Sequence, residues 1–223
     1  MTHTAILAGC GGGGSNAIRL ARTMNDYSAF IIDDQDSSDI IVRRPKGVIK
    51  GFAGRCQDAR EASAARAAEI GQRLTGNRAV VAVAALGGGA GPGTFITVSE
   101  CARQQSMSVI AIVTIPFSFE EERRPRALQE AADLTAFADR TVIIDMQQLV
   151  KVGSDMRAED VLDAVNLMAA EAAVTVARLF ETVPFFSIFS QEVYSFSYGA
   201  GPDVLAAVKG AVRRPLSAAD PAA

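Results

Sequence analysis

The chain has 223 residues, of which 49% are hydrophobic and 21% are charged, and these ordinary proportions predict a single folded domain. A formal net charge of −3 provides no broad positive field and argues against a nucleic-acid partner. The longest apolar run, Ala79–Leu86, is too short for a bilayer and no basic stretch with an apolar signal core opens the chain, so we expect a cytoplasmic protein without an integral membrane segment.

Short apolar runs alternate with stretches of helical periodicity. In chain order, the predicted elements are strand Thr4–Ala8, helix Ser15–Met24, strand Ala29–Ile32, helix Gln57–Leu74, strand Ala79–Ala84, helix Thr94–Gln104, strand Val109–Ile115, helix Pro125–Phe137, strand Thr141–Asp145, and helices Ala158–Phe180 and Asp203–Val212. This order predicts an α/β fold, a three-layer Rossmann-like parallel sheet with helices on both faces and the ligand beyond the carboxyl ends of the strands. We expect one domain over residues 1–212 and a flexible tail over 213–223.

Few side chains are available for catalysis. His3 is the only histidine and lies at the N-terminus, which argues against Ser-His and Cys-His mechanisms. Three cysteines that are far apart and form no CxxC pair argue against a disulfide framework and a zinc site. Any chemistry must therefore rely on backbone amides, carboxylates, arginines and a bound metal ion.

A glycine-rich segment, Gly9–Asn16 (GCGGGGSN), joins the first predicted strand to the first predicted helix. Glycines let backbone amides approach a phosphate group, and a helix start favours negative charge, so the segment is typical of a phosphate-binding loop. It also matches GxGxxG with acidic residues, Asp33 and Asp34, about 20 residues further on, as in dinucleotide-binding Rossmann domains. A tight packing turn is the third possibility. The residues expected to contact a ligand are Gly11, Gly12, Gly13, Ser15, Asn16 and Asp33.

A second glycine-rich segment, Gly87–Thr94 (GGGAGPGT), also joins a predicted strand to a predicted helix. Two such segments at one sheet edge predict a polyphosphate held between them. Replacing Gly89 with valine should then fill the phosphate cradle and leave the core intact. The residues expected to contact the ligand are Gly87, Gly88, Gly89, Ala90, Gly91, Pro92, Gly93 and Thr94.

Together, the two segments resemble the glycine-rich loops of the tubulin/FtsZ superfamily, whose patterns are GxGGxGxN and GGGTGTG. This chain departs from the second pattern at Ala90 and Pro92, where the family carries threonines. The departures remove two hydroxyls and one amide donor from the cradle. The resemblance implies that the ligand is GTP or GDP and that Mg²⁺ accompanies it, although the sequence assigns no ligands to the metal.

The resemblance extends to three segments further along the chain. Residues 114–124 are similar to the FtsZ stretch KPFxFEGxxR, which implies that Glu120 bonds the ribose and that Arg124 contacts the ribose or the phosphates. Asn166 is similar to the tubulin asparagine that pairs with guanine, because an amide offers both a donor and an acceptor. Glu192 stands where the family delivers a catalytic carboxylate to a neighbouring subunit. Each of these residues could instead be an ordinary surface side chain.

The resemblance implies a stand-alone FtsZ-like GTPase domain that hydrolyses GTP slowly and self-associates through its nucleotide face into a homo-oligomer or filament, with a cytoskeletal or membrane-remodelling role. Two alternatives remain open. A nucleotide-gated interaction module would bind GTP or GDP without turnover. A Rossmann oxidoreductase would bind NAD or FAD through the first glycine-rich segment and Asp33 or Asp34, but would leave the second segment unexplained.

Overall fold

The computed structural model describes residues 4–48, 50–150, 157–182 and 192–195. Within these residues, seven strands form one sheet. In chain order they are β1 (Ala5–Cys10), β2 (Ala29–Asp33), β3 (Ile40–Ile41), β4 (Ala79–Ala85), β5 (Ser108–Ile115), β6 (Arg140–Asp145) and β7 (Glu192–Ser195). The order across the sheet is β3-β2-β1-β4-β5-β6-β7, and every neighbouring pair is parallel.

Helices cover both faces of this sheet. In chain order they are α1 (Gly11–Met24), α2 (Cys56–Ala64), α3 (Ala67–Leu74), α4 (Ala90–Gln104), α5 (Arg123–Leu134), α6 (Met146–Val150) and α7 (Ala158–Thr182). Helices α1 and α7 pack on one face, and α2, α3, α4 and α5 pack on the other. The predicted three-layer α/β fold is therefore confirmed.

Each central strand contributes to two hydrophobic cores. In β4, Val80 and Ala82 belong to the core shared with α2–α5, whereas Val81 and Val83 belong to the core shared with α1 and α7. Successive side chains of a strand point to opposite faces, and here both faces are buried. The strand is for this reason a continuous apolar run in the sequence.

The predicted helix Gln57–Leu74 is in fact two helices, α2 and α3. The break falls at Ala65 and Arg66, and Arg66 has φ −107° and ψ 8°, outside the helical range. The buried hydroxyls of Ser63 and Thr97, 2.6 Å apart, hold the end of α2 against α4. Alanine and arginine both favour helix, so the composition gives no sign of the break.

Three short elements were not predicted: β3, α6 and β7. The two-residue strand β3 is anchored by Asp39, which accepts a hydrogen bond from the backbone N–H of Ile31 (2.7 Å) and forms an ion pair with Arg22. The predicted helix Asp203–Val212 and tail 213–223 lie outside the described residues, so the boundary after residue 212 stays a prediction. No helix among the described residues is long and apolar enough to cross a membrane.

The sheet has a topological switch point at β1, which lies between β2 and β4. Ligands of open parallel sheets bind beyond the carboxyl ends of the strands at such a point. Both glycine-rich segments lie at this edge, because the first follows β1 and the second follows β4. Glu192 lies at the other edge, since it begins β7 and is in register with Arg140, the first residue of β6.

Candidate functional site

Parts of both glycine-rich segments, Gly11–Asn16 and Ala90–Thr94, form the first turns of α1 and α4, where the sequence predicts loops, and Gly87–Gly89 precede α4 as a non-helical turn. Neither helix has a side-chain cap, and neither carries an acidic residue in its first turn. The first N–H groups of a helix have no intrahelical partner, and the helix dipole makes that end positive. Two uncapped helix starts at one sheet edge are therefore suited to an anion with several oxygen atoms.

Missing side chains allow the two helix starts to approach each other. A Cβ atom on Gly11 would lie 2.5 Å from the backbone nitrogen of Gly91, and Gly11 has φ +66°, which glycine adopts without strain. A Cβ on Gly13 would lie 2.5 Å from the Cβ of Ala85. Tight packing thus explains several of these glycines in addition to any ligand.

Among the glycines of the two segments, only Gly12 and Gly88 could carry a Cβ atom without a close contact. Nothing lies within 4 Å of the Cβ that Gly88 would carry, and the nearest atoms to that of Gly12 are 3.9 Å away. Gly89 is different: its Cβ would lie 2.8 Å from the carbonyl oxygen of Gly51. The expectation that Gly89→Val leaves the fold intact was wrong, because the valine would collide with the left-handed turn Lys50–Gly54.

The second segment offers fewer free amides than its sequence suggested. The N–H of Gly87 donates to Glu130 Oε2 (2.6 Å), and the N–H of Gly89 donates to the carbonyl oxygen of Gly51 (3.2 Å). Pro92 has no N–H. The Thr94 hydroxyl donates back to the carbonyl oxygen of Ala90 (2.7 Å), so it is engaged within its own helix.

A cavity of about 430 Å³ adjoins the first segment and is bounded by α1, the carboxyl ends of β4 and β5, and α7. Ligand pockets for small molecules commonly have volumes of this order. Four of the residues predicted from the sequence line it: Gly13, Asn16, Glu120 and Asn166. The apolar part of the wall includes Phe117, Phe119, Met146, Leu162 and Val165.

The loop between β5 and α5 carries Glu120 into the cavity wall. Glu120 Oε1 accepts a hydrogen bond from the backbone N–H of Phe117 (3.2 Å), and its Oε2 accepts one from Arg123 (2.6 Å). The rings of Phe117 and Phe119 are stacked with centroids 5.0 Å apart, and Phe119 is 71% exposed. This loop therefore presents a carboxylate beside an aromatic surface.

Arg124, which the sequence assigned to the ligand, is held behind the cavity wall. Its guanidinium forms two hydrogen bonds of 2.8 Å with Asp145 and donates a third to the carbonyl oxygen of Pro116 (2.6 Å). The hydrogen bonds to Asp145 raise the pKa of Arg124 above its usual value. Arg123 lines the cavity instead. Two consecutive arginines at a helix start point in different directions, and the sequence did not tell which one faces the cavity.

Two of the residues expected to contact the ligand have a buried side-chain oxygen that lacks a hydrogen-bond partner in the described part of the chain. Ser15 Oγ and Asp33 Oδ2 are both buried and have no hydrogen-bond partner there. Burial raises the pKa of Asp33 to about 6. Burial also raises the pKa of the Cys10 thiol to about 12, so Cys10 stays protonated and unreactive.

Glu192, the predicted catalytic residue, is remote from this cavity. The cavity lies at the carboxyl edge of the sheet, whereas Glu192 occupies the first position of β7 at the amino edge. At 3.3 Å per residue, the length of β6 separates the two edges by roughly 17–20 Å. By its position in the sheet, residue 192 is thus remote from the cavity of the same chain.

Comparisons with known proteins match this architecture. The family model described as "Tubulin/FtsZ family, GTPase domain" matches residues 31–154. The cell division protein FtsZ 2 of Methanocaldococcus jannaschii is 24% identical over 206 residues, which cover 88% of this chain and 54% of that protein. FtsZ 1 of Halobacterium salinarum is 30% identical over 155 residues, which cover 65% of this chain and 39% of that protein. The chain thus spans about half, or less, of the length of these relatives.

Two solved structures share the fold. An empty FtsZ dimer of M. jannaschii superimposes with a TM-score of 0.82 at 20% identity, covering 98% of this chain and 69% of the other. CetZ2 from Haloferax volcanii, solved as a GTPγS-bound protofilament, superimposes with a TM-score of 0.71 at 16% identity and covers 91% of this chain and 69% of the other. At these identities the structural likeness concerns the fold alone.

Proposed function

Because this chain belongs to the tubulin/FtsZ family of GTPase domains, we propose that it binds GTP and GDP at the junction of α1, α4 and α7 and hydrolyses GTP slowly when copies associate. The observation that carries the proposal is the pair of uncapped helix starts, joined through Gly11 and Gly91, beside a cavity lined by Glu120 and Asn166. A cytoskeletal role follows from the same family membership.

The phosphates would lie on the first turns of α1 and α4. Gly11, Gly12 and Gly13 contribute the first backbone amides of α1, and Gly88 is the open position of the second segment. Backbone amides at two helix starts stabilise several phosphate oxygens at once. Because the amides of Gly87 and Gly89 are engaged elsewhere, the second segment contributes less to affinity than the first.

The nucleoside would extend into the cavity toward α7. Glu120 is placed to accept a hydrogen bond from a ribose hydroxyl, with Arg123 holding its other oxygen. Asn166 lies in the wall next to the apolar surface of Met146 and Val165, which suits the face of a purine ring. An amide can accept from the N–H groups of guanine and donate to its carbonyl, which adenine lacks.

A magnesium ion would take most of its ligands from the nucleotide. No group of three or more metal-ligating side chains occurs among the residues that the structure describes. Mg²⁺ commonly binds through phosphate oxygens, waters and one or two carboxylates, so a full protein cage is not required. The ion would neutralise phosphate charge at the two helix starts.

Hydrolysis would require a second copy of the chain. Glu192 begins β7 at the edge opposite to the cavity, so it would reach a nucleotide only on a neighbouring molecule. The contact between copies would join the cavity edge of one molecule to the amino edge of the next. Without such contact, the protein would act as a nucleotide-gated interaction module, which is the second candidate function. The absence of threonines at positions 90 and 92 favours this candidate, because it leaves fewer groups to hold the γ-phosphate.

The oxidoreductase alternative receives no support from the cavity. A Rossmann dinucleotide places its adenosine ribose near the acidic residue at the end of β2, here Asp33. The cavity lies on the opposite side of α1, toward β5 and α7, and Asp33 does not line it.

Thermal unfolding with GTP, GDP, ATP, NAD and FAD tests the proposed ligand. A ligand at a hundredfold excess over its dissociation constant should add about 2.7 kcal/mol to the free energy of unfolding, and we expect this only for GTP and GDP. Gly88→Val should weaken GTP binding by roughly ten- to hundredfold with little change in stability, because the valine fills open space next to the proposed phosphate site. Stabilisation by NAD or FAD alone would contradict the proposal.

Phosphate release measured over a range of protein concentrations separates the two candidate functions. Catalysis between copies predicts that the activity per molecule rises with concentration and is lost in Glu192→Gln. Binding of GTP without phosphate release at any concentration would favour the interaction module.

We expect Asn166→Ala to reduce the preference for guanine. Loss of the amide should weaken GTP binding by roughly ten- to hundredfold and leave weak ATP binding unchanged. Calorimetric titration with GTP, ATP and ITP checks this, since ITP lacks the 2-amino group of guanine. Thr175→Ala, an exposed position on the same helix, is the matched control. Equal GTP affinity in Asn166→Ala and Thr175→Ala would show that Asn166 does not contact the base.

A further inference from the structure

Asp33 is a buried carboxyl group next to the first turn of α1, where the proposed function puts the phosphates. We propose that Asp33 binds the nucleotide in its protonated form, donating its carboxyl hydrogen to a phosphate oxygen, so that nucleotide binding takes up a proton from solution. This inference rests on the proposed function and adds a regulatory property to it, namely an affinity that depends on pH.

The geometry around Asp33 leaves one of its oxygens available. Asp33 ends β2 and is 1% exposed, and Oδ2 has no hydrogen-bond partner among the described residues. The nearest atoms to the absent side chain of Gly12 are Asp33 Oδ2 and Gln35 Nε2, each 3.9 Å from the position of its Cβ. A buried polar atom without a partner costs free energy, and a ligand at this helix start would supply the missing hydrogen bond.

The groups that surround Asp33 favour its neutral form on balance. Burial is the main cause of its raised pKa of about 6. The backbone N–H of Asp34 lowers the pKa, and so does Arg19 of α1 to a smaller extent. The carboxyl group of Asp34, which forms an ion pair with Arg44 (3.3 Å), raises it. Cys10 at the end of β1 is a neutral thiol and adds no compensating charge. No cation in this set pairs directly with Oδ2.

A phosphate group at the start of α1 would shift this balance further. A nucleoside triphosphate keeps a net negative charge even with Mg²⁺ bound, and such a charge at close range disfavours an ionised carboxylate, so we expect the pKa of Asp33 to be higher in the complex than in the free protein. In both states Asp33 is protonated below pH 6, and affinity is greatest there. As the pH rises between the free and bound pKa values, each binding event must take up a proton, so affinity decreases by roughly tenfold per pH unit.

Calorimetric titration with GTP and excess Mg²⁺ from pH 5.5 to 8.5, in buffers with different heats of ionisation, tests the inference. For the wild type we expect the dissociation constant to rise by roughly tenfold per unit between pH 6 and 8, with uptake of about one proton near pH 7. Asp33→Asn keeps the shape of the side chain and should remove both the slope and the uptake. The nucleotide's own titration is common to all variants, so the difference between variants reports on Asp33.

Asp36→Asn, at an exposed position three residues further on, is the matched control and should keep the wild-type slope. Urea unfolding of each variant confirms that the fold is retained. An unchanged slope in Asp33→Asn, or no proton uptake by the wild type, overturns this inference while the proposed function stands. Failure of the wild type to bind GTP at any pH overturns both.

Discussion

Replacing Gly14 with alanine is expected to destabilise the protein by about 3 kcal/mol or more, although only one methyl group is added. The new Cβ would lie 2.1 Å from the carbonyl oxygen of Val83. Val83 belongs to β4, a central strand whose backbone is paired on both sides with β1 and β5. Neither the strand nor α1 can move away without breaking the core between them. Urea denaturation followed by circular dichroism measures the loss directly.

Gly12 provides the matched control for this experiment. It lies two residues earlier in the same helix, and the nearest atoms to its absent Cβ are 3.9 Å away. Alanine is favoured over glycine in helices, so Gly12→Ala should keep or raise stability by up to about 1 kcal/mol. Similar free energies of unfolding for Gly14→Ala and Gly12→Ala would refute the close contact between α1 and β4.

Removing the side chain of Arg124 is expected to cost about 3–5 kcal/mol, because it leaves the Asp145 carboxylate uncompensated. Asp145 is buried and makes two hydrogen bonds of 2.8 Å with Arg124. Arg124 also holds the carbonyl oxygen of Pro116. We therefore expect Arg124→Ala to loosen the loop that carries Glu120, and to weaken GTP binding as well as the fold.

Adjacent residues supply the control and the double variant. Arg123→Ala removes a half-exposed arginine whose pair with Glu120 lies nearer to solvent, and exposed pairs contribute less than about 1 kcal/mol. The double variant Arg124→Ala/Asp145→Ala removes both charges of the pair, so no buried carboxylate is left uncompensated, and it should be more stable than Arg124→Ala alone. If Arg124→Ala and Arg123→Ala were equally stable, the ion pair with Asp145 would not support the loop.

Most of the fold was predictable because the central strands bury both faces. Their apolar runs, separated by stretches of helical periodicity, leave few topologies other than a parallel sheet between two layers of helices. The short strand β3 depends on Asp39, which binds both Arg22 and the backbone of Ile31, and such tertiary contacts leave no periodic signal. The break between α2 and α3 was missed for the same reason.

The candidate site was predictable in outline and less so in detail. Glycine-rich segments after two strands indicated an anion site, but they do not show which glycines contact a ligand and which allow close packing. Gly14 and Gly89 are packed against backbone, whereas Gly88 is open. Likewise, Arg123 and Arg124 are equivalent in the sequence until the position of Asp145 is known. Which glycine is open and which arginine faces the cavity depends on contacts between residues that are far apart in the sequence.

The parallel strands also give the molecule two unlike ends, with the cavity at one and the first residue of β7 at the other. When a contact joins one end of a molecule to the unlike end of the next, each added molecule leaves a free end for another, so two copies do not form a closed dimer. Any row of molecules built through such contacts has a direction, with one exposed cavity at its leading end and one uncovered amino edge at its rear. Growth at the two tips would then differ chemically, because an incoming molecule would meet the proposed nucleotide site at only one of them.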